Sequence, residues 1–252
     1  MFTGREKLII AGLFLSKFDK IGLANLGFES FTEAFNTIAL SLKARPASLK
    51  NYRDEFDPLF PNPRQGWHKR PMREYCKVLY ERYGNLALEE FTQLLKPLLF
   101  QGPMVESWES GEVEGEAFDD NGSFAKRLIT GAAAEGYFEG VFPEIDTFHN
   151  CALINTTAVG CGFDFKIDRP DEAPYFAVEV KGLRAASGNV LLTEKEHRVA
   201  SRLRDRYFLF VARHFAEEPF HTLYRDPLAC GLSLTRSEKT VVIVNWTIPI
   251  TG

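Results

Sequence analysis

Three residues in one short stretch have the types and spacing for metal-assisted chemistry. Asp164 lies in an apolar run, 163–167, and Glu179 and Lys181 bracket Val180 in a second run, 175–180. Between the runs, 168–174 is polar and carries two prolines, so the pair reads as two strands of a hairpin or meander. Residues two apart on a strand share a face, so Glu179 and Lys181 project together. If the strands are neighbours, Asp164 joins them. Two carboxylates converging on one point repel each other unless a cation sits between them. Hard oxygen ligands suit Mg²⁺, which takes one or two carboxylates, waters and phosphate oxygens. Such an ion acidifies a bound water and offsets charge on a phosphoryl centre, while a nearby lysine orients that water and shares the charge. The plainer alternative is a half-buried strand whose Glu179 and Lys181 simply pair across the sheet.

The pieces around this trio, in order, are GAAAEGYFEGVF, GFDF, VEVKG, LLTEKE and RYFLFVARHF, within 131–215. This ordered set resembles the PD-(D/E)XK nuclease superfamily, in particular its DNA-defence and restriction-associated members. It covers about a third of the chain, and Phe163 stands where the family name has proline. The resemblance implies Asp164, Glu179 and the Val180 carbonyl as metal ligands, Lys181 as the residue that positions the water, and Glu135 on the preceding helix as a supporting group. Glu139, one turn later, competes for that last role.

The elements that must position these residues fall into two parts. Residues 5–98 read as helical, with apolar residues from Leu8 to Ile21 at helical spacing. Ser30 and Glu33 form a capping-box signature for a second helix, 31–42. A third begins near Pro46, and two more span 72–83 and 88–99. The second and third resemble a helix-turn-helix, the third displaying Lys50, Asn51 and Arg53, types that read base edges, or else a solvated polar face. A proline-bounded loop, 61–71, sets Arg64, His68, Lys69 and Arg70 around Trp67, suiting phosphate contacts. Arg184 and Asn189, after Lys181, are further candidates for touching DNA. The stretch 101–123 holds seven acids and no Lys or Arg and reads as a linker. A helix at 124–138, strands at about 152–156, 207–212 and 241–246, and a helix capped by Thr193 with Glu196 in the capping-box position complete the chain.

The expected architecture is α/β, more narrowly α+β: an N-terminal all-helical domain (1–100), an acidic linker (101–123) and a C-terminal domain (124–252) with a restriction-endonuclease-like mixed sheet flanked by helices. Net charge is −4, but residues 1–100 carry fifteen Lys and Arg against eleven Asp and Glu, so the helical part is the basic one. Four scattered cysteines without Cys-x-x-Cys spacing argue against zinc clusters and fit a reducing cytoplasm. No apolar run is long enough to span a bilayer, so no membrane partner is expected. The expected function is a Mg²⁺-dependent, restriction-type endonuclease acting on double-stranded DNA as a homodimer. The alternative is a nuclease-fold DNA-binding subunit with weak or no activity.

Overall fold

The structure, a computed structural model, describes residues 2–67, 69–99, 121–170, 174–238, 246 and 248. Among these, seven α-helices and one five-stranded mixed sheet give an α+β fold with a helical N-terminal part. The helices are α1 (Gly4–Asn25), α2 (Phe31–Ser41), α3 (Pro46–Phe56), α4 (Glu74–Tyr83), α5 (Leu88–Leu99), α6 (Asn121–Val141) and α7 (Glu194–Leu203). The strands are β1 (Ala152–Asn155), β2 (Phe165–Asp168), β3 (Phe176–Gly182), β4 (Tyr207–Arg213) and β5 (Phe220–Arg225). They lie in sequence order across the sheet. All neighbours are antiparallel except β3 and β4, which run parallel with α7 as the crossover.

Helix starts follow the caps. Thr3 and Glu6 form a complete capping box on α1, and Thr193 and Glu196 another on α7. Ser30 caps α2 by accepting from the Glu33 N–H, but the Glu33 carboxylate accepts from the Glu29 N–H instead of completing the box. Within α1, Asp19 is non-helical at φ 47°. That break shifts the phase of the apolar stripe, and Ile21, expected to extend the cluster, faces solvent.

Two apolar bodies result. One joins α1–α5 around Ile10, Phe14, Phe56 and Phe91, with Ile129 of α6 inserted. The other packs α6 on one face of the sheet through an aromatic cluster in which Phe138 meets Phe165 at 5.0 Å and Phe210 at 4.8 Å between ring centroids. On the opposite face α7 packs through Ala200 against Ala177 and Tyr207. The alternation of β3 follows: Phe176, Val178 and Val180 face α6, while Ala177, Glu179 and Lys181 take the α7 face.

Helix α2 joins the two bodies, and α6 crosses it closely. Asn36 donates from its side-chain amide to the Phe215 and Glu217 carbonyls after β4. Lys43 pairs with Glu139. The 241–246 strand expectation lies outside the described residues except for exposed Trp246, as does most of the 101–123 linker.

A Cβ added at Gly136 would come within 2.0 Å of the Leu40 carbonyl oxygen, whereas one at Gly131 or Gly140 meets nothing within 4 Å. Gly136→Ala should therefore lower stability by about 1–3 kcal/mol through overpacking. Gly131→Ala and Gly140→Ala, in the same helix, should raise it by roughly 0.5–1 kcal/mol through lost unfolded-state entropy. Urea melts of the three variants check this, and equal effects at all three positions would refute the close crossing.

Candidate active site

The site grows from the end of the β2–β3 ladder. The Asp164 N–H bonds the Val178 carbonyl at 3.0 Å, the last backbone link between these strands. Beyond it, the Asp164 carboxylate takes over and accepts from the Val180 N–H at 2.8 Å. A residue's N–H and C=O point to the same side of a strand, so the Val180 carbonyl emerges on the edge that Asp164 occupies. The approach to Asp164 is fixed from behind. Gly162 has φ +92°, and a Cβ there would lie 2.8 Å from Val199 of α7. The buried Tyr207 hydroxyl donates to the Gly162 carbonyl.

Glu179 is 3% exposed, and its carboxylate accepts from the Lys181 ammonium at 2.6 Å. A second acid holds Lys181 from α7: Glu196 accepts from it at 2.9 Å and from the Thr193 N–H at 2.9 Å. The LLTEKE stretch announces Glu196 only as a capping residue; its place beside Lys181 depends on the crossover that lays α7 over β3. Asp164, Glu179, Thr193, Lys195 and Glu196 line one open cleft of about 180 Å³, with Gly160 and Gly162 at its rim.

Electrostatically the cleft is short of positive charge. Burial pushes Asp164 up to about 6, with the Val180 N–H and Lys181 opposing and Glu196 adding repulsion. Burial, then Asp164, pushes Glu179 well above the carboxylate range. For Lys181 burial disfavours the charge, but Glu179 and Glu196 outweigh it and hold the ammonium protonated. On α6, burial and then the Asp164 and Glu139 charges raise Glu135 to about 7. Glu139 is engaged by Lys43, so of the two α6 acids Glu135 is the one turned toward Asp164.

The donor chemistry fits a hard divalent cation. Among the described residues no group of three or more His, Cys, Asp or Glu side chains forms a metal cage. Mg²⁺ requires only one or two carboxylates and keeps several waters. Asp164, Glu179 and the Val180 carbonyl are such a set, on an open cleft.

The expected DNA-contacting residues divide. Asn51, Lys69 and Asn189 are exposed, and Arg70 is exposed with its guanidinium 3.4 Å from the Trp67 ring centre. Lys50 is at the surface but pairs with Asp54 at 2.9 Å. Three others require correction. Arg53 is 7% exposed, paired with Asp54 and packed over Phe31 and Phe35, so it faces inward rather than off the third helix. Arg64 bridges Asp57 and Asp19, tying the loop to the kink in α1. Arg184 is held by Glu29 and by Glu33, which is itself 1% exposed. Each is engaged within the fold: Arg53 by local acids, Arg64 and Arg184 also by acids far away in sequence.

The fold and site thus define an α+β protein whose mixed sheet presents two acids at one cleft, one of them paired with a lysine on the same strand. A family model described as Protein NO VEIN, C-terminal, matches residues 144–224. The matched stretch runs from before β1 into β5 and contains Asp164, Glu179, Lys181 and Glu196, but not Glu135. No curated protein and no solved structure matches the chain.

With Glu135 raised to about 7 and Asp164 to about 6, the metal-free native state binds more protons than the unfolded chain between about pH 4 and 7. Stability therefore falls as pH rises through that window and stays low above it. Glu135→Gln should flatten the slope and stabilise the protein at pH 8 by on the order of 1–3 kcal/mol; denaturant melts in EDTA from pH 4 to 8 check this, and a stability that rises over the window would contradict it. Arg53→Ala, by uncovering the buried acids it pairs with, should cost on the order of 3 kcal/mol. A wild-type melting temperature for Arg53→Ala would return it to the surface role.

Proposed function

We propose that this chain is a Mg²⁺-dependent DNA endonuclease of the PD-(D/E)XK type, cleaving phosphodiester bonds in double-stranded DNA as restriction endonucleases do. The observation that carries the reading is the convergence of Asp164 and Glu179 on one cleft, with Lys181 paired to Glu179 and Asp164 tied to the backbone of Val180, the residue between that pair. The excess of buried carboxylate supports it, since such a cluster calls for a cation.

Asp164, Glu179 and the Val180 carbonyl would hold the metal, which when bound supplies an acidified water and charge neutralisation at phosphorus. The protein's own groups do the rest. Lys181 has three N–H donors. Two are directed to Glu179 and Glu196, leaving one for the attacking water or a phosphate oxygen. Being clamped on both sides, the ammonium needs no reorganisation as charge develops. Glu135 supports the ligand side by holding or orienting solvent beside Asp164. In-line attack then breaks the P–O3′ bond and leaves a 5′-phosphate, as the resemblance implies. A duplex needs two nicks, so a homodimer with each copy cutting one strand fits a symmetric site.

Supercoiled and phage DNA with Mg²⁺, against an EDTA control, test the reading directly. Asp164→Ala and Glu179→Ala should abolish cleavage while leaving duplex binding. Lys181→Arg keeps the charge but replaces a compact ammonium with a planar fork, so it should cut at a small fraction of the wild-type rate while folding normally. Independently of turnover, Mg²⁺ or Ca²⁺ at pH 8 should raise the wild-type melting temperature by mass action and leave Asp164→Ala unmoved. A fully active Lys181→Arg, or equal metal stabilisation of Asp164→Ala, would overturn the site.

A further inference from the structure

The outer side of α7 carries a row of cations that no acid neutralises. Lys195, Arg198 and Arg202 are all exposed, and none forms an ion pair among the described residues. Their i, i+3, i+7 spacing puts them on one flank of the helix. The adjoining flank is anchored: Ala200 is buried against Ala177 and Tyr207, with Val199 and Leu203 packed beside it. At 1.5 Å rise per residue the row spans about 10 Å. It begins at the cleft itself, since Lys195 lines the cavity with Asp164, Glu179 and Glu196. Glu194 is the one exposed acid in the helix.

Several cations expected to touch DNA are neutralised. Arg53, Arg64 and Arg184 are held by internal or neighbouring acids, and Lys50 pairs along its own helix. The α7 row is also rigidly indexed to the reacting groups. Gly162, two residues before Asp164, sits against Val199 and Lys195 closely enough to exclude a Cβ. Glu196, one residue after Lys195, holds Lys181.

We infer that the Lys195–Arg198–Arg202 face of α7 is the track on which the phosphate backbone of duplex DNA lies as it crosses the cleft. The inference rests on the endonuclease reading for its substrate. A duplex carries one negative charge per roughly 1.7 Å of axis, and cations that neutralise phosphates act without regard to sequence. The row is thus a positioning surface: it sets where the backbone lies, and the residues within the cleft act on the phosphate delivered there.

The test is duplex binding by fluorescence anisotropy in Ca²⁺ from about 50 to 200 mM salt. The triple variant Lys195→Ala, Arg198→Ala, Arg202→Ala is compared with an equal-charge control far from the cleft, Lys20→Ala, Lys77→Ala, Arg82→Ala. The α7 variant should reduce the slope of log affinity against log salt by about 2–3, since each phosphate left without its cation removes roughly 0.9 from it. The effect should be the same on unrelated sequences, with the melting temperature retained; the control should keep the wild-type slope. An unchanged slope in the α7 variant, an equal fall in the control, or no duplex binding by the wild type would overturn the track. Wild-type binding without Mg²⁺-dependent cleavage would instead sink the endonuclease reading, and the slopes would still decide the track.

Discussion

The constraint on which this structure turns is a surplus of negative charge in a place with little water. Asp164 and Glu179 sit where the β2–β3 ladder ends in the middle of a hydrophobic sheet, Glu135 and Glu196 approach from helices on its two faces, and one ammonium stands among them. A folded protein tolerates such a surplus only where something holds the groups in place or a ligand neutralises them. The surroundings do the first. The Asp164 carboxylate continues the β2–β3 ladder where backbone pairing stops, and Lys181 is clamped between two acids. The raised carboxyls leave the second requirement open, and this is what supports the proposed cation site.

Holding the groups in place is the work of apolar packing on both sides. The Phe138, Phe165 and Phe210 cluster fixes α6 on one face, and with it Glu135. Ala200, Tyr207 and the close approach at Gly162 fix α7 on the other, and with it Glu196. Glycine at 162 serves geometry directly: it supplies both the positive φ and the missing Cβ that let the chain pass under α7 just before Asp164.

Much of this is legible in the chain. A period of two puts Glu179 and Lys181 on one face whatever the strand's neighbours, and the cap at Thr193 and the parallel crossover follow from local patterns. What is not legible depends on partners far away in sequence. Arg184 meets Glu33 across 151 residues and Arg64 meets Asp19 across 45, so cations that read as free for DNA are already bound. Strand β5 escapes because its residues are half-exposed at the edge of the sheet, where no apolar alternation is imposed. Conversely, the cations of α7 lie in a helix that the chain marks mainly by its cap, and their common flank emerges only once the buried side of that helix is fixed.

The placement of α2 changes how the two parts work together. In a freely tethered recognition module, a helix-turn-helix would present one helix to DNA and pack the other only within its own domain. Here Glu33 receives Lys126 from α6 and Arg184 from the turn after β3, and Asn36 holds the carbonyls that follow β4. The ends of the parallel pair β3–β4 are therefore fixed to the helical part a few residues beyond Lys181. Burial disfavours the Glu33 charge, but the pull of Lys126, the Glu29 N–H and Arg184 outweighs it and holds the carboxyl below its ordinary range, so this joint retains its charge well into acid. In the proposed nuclease, a helical part docked in this way would form a wall of the catalytic body. Any DNA it touches through Asn51, Lys69 or Arg70 would be held in a fixed frame relative to the cleft, so that recognition and cutting would share one rigid geometry.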